Sequence, residues 1–199
     1  GDGDFHVDGP VDSLDRLRQQ TMAGEWTWLR QIHGADVVTV TRSGEGRGAS
    51  ADAAVTAVPG VVLAVQTADC VPIVFIGDGV IGIAHAGWRG IVEGVLAATV
   101  ERMRQLGADN LLATIGACIR PSHYEFGLDD LDAVVAVTSD AVRSVSDAGN
   151  PSLDMAAAAR IALQKVGVER INDLGHNTAD ERFHSHRTRG DTGRQVSSR

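Results

Sequence analysis

The sequence is poor in cysteine and in long apolar runs, and each deficit excludes a class of protein. Only Cys70 and Cys118 occur in 199 residues, which excludes a disulfide-rich secreted scaffold and a four-cysteine zinc site. No apolar run approaches the roughly 18 to 20 residues of a membrane span, and residues 1–10 contain three aspartates and no apolar stretch. We therefore expect a cytoplasmic protein with reduced thiols, without a membrane span or a signal peptide.

Positive charge is scarce overall but concentrated near the C-terminus. The chain has 26 acidic and 18 basic residues, and its net charge of −8 argues against a nucleic-acid polymer as partner. Lys165 is the only lysine, and residues 182–199 carry five arginines and one aspartate. This segment is either a solvated basic tail or a site for a small anion, because guanidinium groups match phosphate and carboxylate.

The pattern of short apolar strands and longer amphipathic stretches predicts an α+β fold. Hydrophobic residues make up 43% and charged residues 22%, as in a folded domain, and we predict one domain over residues 1–199. Helices are predicted over residues 89–106, 129–142 and 153–166, a mobile loop over 42–50, and an irregular final thirty residues. A Gly-Asp-Gly turn at residues 77–79 predicts a hairpin. The sequence lacks a regular βαβ alternation, a Gly-x-Gly-x-x-Gly motif and a Walker loop. These absences argue against a nucleotide-binding doubly wound sheet.

Three residues at predicted strand ends have side chains suited to metal binding. His33 follows one strand, Cys70 lies between two strands, and His85 lies between a strand and a helix. One thiolate and two imidazoles form a good zinc set that leaves a fourth position for water or substrate. The separations of 37 and 15 residues match no local metal motif. Individually, His33 also fits a turn, Cys70 a small buried hydrophobe, and His85 a hydrogen-bonded core histidine.

A second interpretation uses the same atoms as a cysteine nucleophile. Cys70 would attack a carbonyl, His85 would act as the base, and Asp69 or His33 would orient that base. Metal ligation and nucleophile activation both need a thiolate beside an imidazole, so the sequence leaves both open.

The stretch Gly87-Trp88-Arg89-Gly90 begins the predicted long helix. Free backbone N–H groups together with Arg89 favour binding of an anion there, whereas the plainer interpretation is a surface arginine beside a core tryptophan. Cys118 is interpreted as a core residue. His184 and His186 would share one face only if their segment were a strand.

Several segments together resemble the polyphenol-oxidase or laccase-domain family, also called YfiH-like. The resemblance covers nearly the whole chain in the family's order, and the segments at residues 66–72 and 84–90 are highly specific together. The segments are Gln31-Ile32-His33-Gly34 with Ala51-Asp52-Ala53, Gln66-Thr67-Ala68-Asp69-Cys70-Val71-Pro72, Ala84-His85-Ala86-Gly87-Trp88-Arg89-Gly90, Ile115-Gly116-Ala117-Cys118-Ile119 with Tyr124-Glu125-Phe126-Gly127, and Ser185-His186-Arg187 with Thr192-Gly193-Arg194.

The resemblance implies a layered sandwich of mixed β-sheets flanked by helices, and a zinc site at His33, Cys70 and His85. It further implies purine nucleoside phosphorylase activity on adenosine, inosine and methylthioadenosine, with adenosine deaminase activity as well. Older descriptions of the family name copper polyphenol oxidases, and some members are linked to peptidoglycan editing. Seven histidines scattered along the chain are few for a multicopper centre, so we expect zinc rather than copper.

Within this hypothesis the expected partners are a nucleoside and phosphate, and the protein is a monomer or small homo-oligomer. Arg89, with Arg187, would hold phosphate, and Gln31 would contact base or sugar. Asp69 would carry a proton or support a ligating histidine, or else cap a turn.

The sequence departs from the family pattern at two places. The family's longer initial segment with an Arg and a Gly-Gly-x-Ser stretch is not in this sequence, and Gly175-His176-Asn177-Thr178 stands where the family often has Cys-Thr. We expect both departures to affect the substrate pocket more than the metal site.

Overall fold

The computed structural model describes residues 11–198, and residues 1–10, on which the signal-peptide prediction depends, lie outside this range. The prediction of a single domain over 1–199 also extends beyond it. The helices are α1 (Val11–Thr21), α2 (Trp88–Glu93), α3 (Val95–Gln105), α4 (Leu128–Val137), α5 (Met155–Lys165) and α6 (His186–Arg189). The strands are β1 (Glu25–Arg30), β2 (Val37–Val40), β3 (Ala49–Ser50), β4 (Ala53–Thr56), β5 (Val61–Thr67), β6 (Val71–Gly77), β7 (Val80–Ala86), β8 (Leu112–Ile115), β9 (Arg143–Val145), β10 (Pro151–Leu153), β11 (Arg170–Asp173) and β12 (Gln195–Ser198).

Two mixed β-sheets carry the fold, which confirms the predicted α+β class. The larger sheet has the order β11-β8-β6-β7-β4-β2, and its central pairs are antiparallel while both edge pairs are parallel. The smaller sheet has the order β12-β5-β1-β3, with only β12 antiparallel to its neighbour. The predicted hairpin joins β6 to β7, where Asp78 and Gly79 take positive φ angles of 46° and 82°. A separate two-stranded ribbon pairs β9 with β10.

The sheets stack because their strands alternate apolar side chains between two faces. In β5, Val61, Leu63 and Val65 enter a core shared with Ile83 of the larger sheet. Val62 and Ala64 point the other way and form a small cluster with Leu17 of α1. The opposite face of the larger sheet packs its apolar residues against helices α2 to α5. The layers are therefore helix, sheet, sheet and helices, as expected from the family resemblance.

The helix expected over residues 89–106 is two helices. Gly94 ends α2 with a left-handed φ of 90° and its N–H bonds back to Gly90 and Ile91, after which α3 begins. The helix expected over 129–142 ends at Val137, and Ser139 caps a separate 3₁₀ turn over Asp140–Val142. The helical spacing of apolar residues continued through both breaks, so periodicity alone concealed them.

The final residues contain more regular structure than their polar composition predicted. β11 and β12 each form an edge strand, and β12 pairs Gln195 with Thr67 of β5. Ala49 and Ser50, expected in a mobile loop, pair with the end of β1. Backbone pairing with a preformed sheet supplies the stability that these short polar segments lack on their own. Within residues 11–198, no helix is long and apolar enough to cross a membrane.

Candidate metal centre

The three residues predicted as metal ligands lie together between the two sheets. His33 follows β1, Cys70 lies in the connection from β5 to β6, and His85 lies within β7. One potential ligand atom from each lies within 4.8 Å of the other two. Cys70 Sγ is 3.7 Å from His33 Nε2, near the roughly 3.6 Å expected of two ligands on one tetrahedral zinc. Among residues 11–198, this is the one cluster of at least three His, Cys, Asp or Glu side chains close enough to hold a metal.

Asp52 holds two of the candidate ligands of this centre in position. Its fully buried carboxylate accepts hydrogen bonds from the backbone N–H groups of Ile32, His33 and Gly34, at 3.1, 2.9 and 2.8 Å. The same carboxylate lies 2.8 Å from His85 Nδ1, which leaves His85 Nε2 available as a metal ligand. One carboxylate therefore orients both the His33 loop and the His85 ring.

Backbone geometry at the centre requires glycine at one position. A Cβ on Gly87 would lie 2.7 Å from His33 Cδ2 and 3.3 Å from Cys70 Sγ. His33 and Asp69 take positive φ angles of 60° and 97°, which are uncommon for residues other than glycine. The unusual backbone conformations of His33 and of Asp69, next to Cys70, bring the His33 imidazole and the Cys70 thiol together.

The electrostatics of the centre favour a thiolate. Burial opposes ionisation of Cys70, but the His85 and His33 imidazoles outweigh it and lower the pKa of this thiol to about 6. Burial alone would lower the pKa of His85, yet Cys70 and Asp52 together raise it. By contrast, burial raises the pKa of the Cys118 thiol to about 12, so this core cysteine is inert at neutral pH. A thiolate beside two imidazoles suits a metal, and it equally suits an activated nucleophile.

A cavity of about 510 Å³ opens above the centre and is lined mostly by cationic and polar groups. His33, Cys70 and His85 form part of its wall, and Asp69 is the only acidic side chain among its lining residues within the described part of the chain. The basic side chains of the wall are Arg30, Arg187 and Arg194, together with His186. This arrangement places several basic side chains next to the candidate metal centre.

The C-terminal arginine cluster supplies much of this charge. Arg187 stacks on the Tyr124 ring, with its guanidinium carbon 4.5 Å from the ring centre, and Nη1 donates to the Glu125 carbonyl at 2.6 Å. Within residues 11–198, Nε and Nη2 of Arg187 have no hydrogen-bond partner. Arg187 and Arg194 of the segment 182–199 therefore line the cavity wall, and whether they hold an anion stays a prediction.

The three residues predicted as catalytic occupy different positions. Asp69 lines the cavity, but its carboxylate bonds to Thr178, Ser185 and Arg187, whereas the partner of His85 is Asp52. Gln31 also lines the cavity, with its side-chain amide paired to the Gln66 backbone at 2.7 and 2.8 Å. Arg89 is exposed outside the described lining, and its guanidinium stacks over Trp88 at 4.4 Å.

Sequence reasoning assigned no role to Asp52, Tyr124 or Arg194. Asp52 stands between two alanines at the entry to the buried strand β4, and a lone carboxylate in such a stretch signals a buried polar partner. Tyr124 and Arg194 lie in segments that carry the family resemblance, but their local sequence does not show that they adjoin the centre.

The fold and site define an α+β protein with a His/Cys/His centre beneath a cationic cavity. Over residues 7–198 the chain matches the family model described as multi-copper polyphenol oxidoreductase laccase. The chain belongs to this family, which confirms the resemblance drawn from its motifs.

Named relatives and solved structures agree with this assignment. A Pseudomonas aeruginosa protein named purine nucleoside phosphorylase is 39% identical over 202 residues, covering 96% of this chain and 82% of the relative. The Escherichia coli K12 protein named purine nucleoside phosphorylase YfiH is 39% identical over 176 residues, covering 85% and 71%. The crystal structure of YlmD from Geobacillus stearothermophilus has a TM-score of 0.85 at 30% identity, covering 97% of this chain and 82% of that one.

Proposed function

We propose that this protein is a zinc-dependent purine nucleoside phosphorylase acting on adenosine, inosine and methylthioadenosine. The observation that carries the proposal is the His33, Cys70 and His85 cluster at the base of an arginine-lined cavity, in a chain whose relatives bear that name. In the reaction a phosphate oxygen attacks the anomeric carbon of the sugar. The glycosidic C–N bond breaks, and the purine leaves with the bonding electrons and takes up a proton.

The arginines of the cavity wall are proposed to hold the attacking phosphate. Arg187 is the strongest candidate because Nε and Nη2 have no partner within residues 11–198, and Arg194 and Arg30 line the same wall. Fixed positive charge stabilises the incoming anion and the negative charge that develops in the transition state. The sequence-based proposal gave this task first to Arg89, whose position outside the lining favours Arg187 instead.

The donor set of the centre fits zinc. One thiolate and two imidazoles are the soft and intermediate ligands that zinc prefers, and three protein ligands leave a position open. A zinc ion bound there would act as a Lewis acid toward an oxygen or nitrogen of the substrate. Asp52 contributes by holding the His85 ring, and Gln31 by shaping the cavity wall through its pairing with Gln66.

Metal analysis and a phosphate-dependent assay test this proposal together. Purified protein should contain about one zinc per chain, and inosine should yield hypoxanthine and ribose 1-phosphate only when phosphate is present. Cys70→Ala should lose both zinc and activity, whereas the matched control Cys118→Ala should keep its zinc. Retention of zinc by Cys70→Ala would refute the ligand assignment, and no base release from any of the three nucleosides would refute the phosphorylase.

Deaminase activity on adenosine is a second proposed property of the same centre. Water would replace the exocyclic amine of the purine, giving inosine and ammonia. Ammonia release from adenosine without phosphate measures it separately from phosphorolysis.

We also propose a cytoplasmic location, in keeping with two free thiols, which a reducing compartment preserves.

A cysteine hydrolase is the competing candidate, favoured by the lowered pKa of Cys70 beside His85. It predicts activity that survives complete removal of metal by a chelator and a covalent acyl adduct on Cys70. The zinc phosphorylase predicts that the same chelator abolishes turnover and that added zinc restores it.

A further inference from the structure

Asp69 connects the Cys70 loop to the C-terminal part of the cavity wall. Its side chain is 7% exposed. Oδ1 accepts hydrogen bonds from the hydroxyls of Thr178 and Ser185 at 2.6 and 2.7 Å. Oδ2 accepts the backbone N–H of Arg187 at 2.7 Å. All three donors belong to one segment, residues 177–194, which we call the C-terminal segment.

The C-terminal segment supplies the basic side chains on one side of the cavity. His186, Arg187 and Arg194 all lie in it, and α6 begins at His186 directly after Ser185. Ser185 Oγ donates to Asp69 while it accepts the N–H of Thr188, so one hydroxyl both caps α6 and attaches it to Asp69. The Asp69 carboxylate therefore holds the start of α6 through two residues, Ser185 and Arg187.

We propose that Asp69 is a positioning residue that holds Arg187 in place to bind phosphate. The proposal rests on the phosphorylase function, because phosphate is the ligand that Arg187 would receive. A carboxylate that accepts three hydrogen bonds from one segment anchors that segment. The backbone at Asp69 has a positive φ of 97°, and in this conformation the carboxylate bonds to the C-terminal segment.

Proton transfer is the competing role for Asp69, and the two roles respond differently to asparagine. Asparagine keeps one carbonyl acceptor, and hydroxyls can accept from its amide, so Asp69→Asn preserves much of the anchor. It also tolerates a positive φ better than most residues. An amide cannot carry the catalytic proton. Positioning therefore predicts that Asp69→Asn acts mainly by raising KM for phosphate, whereas proton transfer predicts a fall in kcat of roughly 10²-fold or more at unchanged KM.

Removing the donors tests the anchor without altering Asp69 or Cys70. The double variant Thr178→Val with Ser185→Ala leaves Asp69 with the Arg187 N–H as its remaining donor. We expect KM for phosphate to rise about tenfold, the factor that corresponds to loss of about 1.4 kcal/mol of hydrogen bonding. Zinc content and KM for inosine should stay near those of the parent. The matched control is Thr138→Val with Ser139→Ala, which removes one buried Thr hydroxyl and one capping Ser hydroxyl outside the cavity lining.

Two measurements that need no turnover separate this proposal from the phosphorylase. The first is hydrogen exchange of the amides in residues 185–189, which should quicken in the Thr178/Ser185 double variant and also in Thr178→Val alone, where the Ser185 cap of α6 is intact, and stay unchanged in the control. The second is binding of inorganic phosphate by calorimetry, which should weaken about tenfold in the double variant. If the parent binds phosphate but cleaves no nucleoside, and the double variant shows both effects, the phosphorylase fails and the positioning role stands.

Three results would overturn the positioning role. One is parent-like phosphate binding and exchange in the double variant. Another is a loss of kcat in Asp69→Asn at unchanged KM. The third is a parent protein that binds no phosphate, since Arg187 would then have no such ligand to be positioned for.

Discussion

Asp52 Oδ1 lies 2.8 Å from Nδ1 of His85, in a site where both side chains are buried. Asp52 also accepts three N–H groups from the loop that carries His33, so one carboxylate controls the position of two candidate ligands. Burial opposes its ionisation, but the His85 hydrogen bond and the loop N–H groups outweigh it and lower the pKa of Asp52. This relationship leads to the first prediction.

Asp52→Asn should weaken zinc binding by about 10- to 100-fold, because an amide supports His85 and the His33 loop less well than a carboxylate. Competition with a chromogenic chelator measures the affinity. The control is Asp36→Asn, whose exposed side chain precedes β2, the strand that pairs with β4. Equal zinc affinity in Asp52→Asn and the parent would contradict the role of Asp52.

Gly87→Ala should displace His33 and reduce zinc content, because the added Cβ would lie 2.7 Å from the His33 ring. Gly127→Ala is a closely matched control. Both glycines precede a helix with similar extended backbone angles, φ −71° and −65°, but a Cβ on Gly127 meets nothing within 4 Å. Metal analysis of both purified variants decides the matter. Full zinc occupancy in Gly87→Ala would show that His33 can move without losing the metal.

Alkylation should distinguish the two cysteines in metal-free protein. Cys70, with its pKa lowered to about 6, is mostly thiolate at pH 7 and should react with iodoacetamide within minutes. Cys118, with its pKa raised to about 12 and its side chain buried, should react only after unfolding. Bound zinc should protect Cys70. Peptide mass spectrometry identifies the labelled residue, and rapid labelling of Cys70 in zinc-loaded protein would argue against ligation.

The ion pair between Arg120 and Asp173 should make stability depend on acid pH. Two Arg120 nitrogens bond to Asp173 at 2.9 and 2.7 Å, and this contact, with further help from the Gly175 N–H, lowers the pKa of Asp173 below its ordinary 3.8. A depressed folded-state pKa stabilises the protein above the unfolded-state value, and this stabilisation is lost as the pH falls through the folded-state value.

Asp173→Asn should therefore lower the free energy of unfolding by about 1 kcal/mol at pH 7, and its difference from the parent should shrink below about pH 3.8. Urea unfolding across this pH range measures both. Asp147→Asn, an exposed aspartate, is the control and should match the parent throughout. A constant difference between Asp173→Asn and the parent at every pH would contradict the electrostatic explanation.

Local patterns predicted the parts of the fold that depend on neighbouring residues. Short apolar, β-branched runs located β5 and β6, and the Gly-Asp-Gly turn located the hairpin that leads into β7. Continuous apolar spacing predicted two uninterrupted helices, but the structure interrupts them at Gly94 and near Ser139. Backbone conformation and capping override periodicity at single residues.

The sequence by itself determined the residue types of the centre, since a thiol and two imidazoles at strand ends suit a metal or a nucleophile. Tertiary structure decided which carboxylate serves which neighbour. Asp52, without an assigned role, supports His85, whereas Asp69 turns toward residues more than a hundred positions away. Hydrogen-bond partners at such separations depend on how the sheets stack and where the chain returns. Residue types at predicted strand ends, together with the family resemblance, therefore indicated the candidate ligands, and only the folded chain showed which side chains hold them in position.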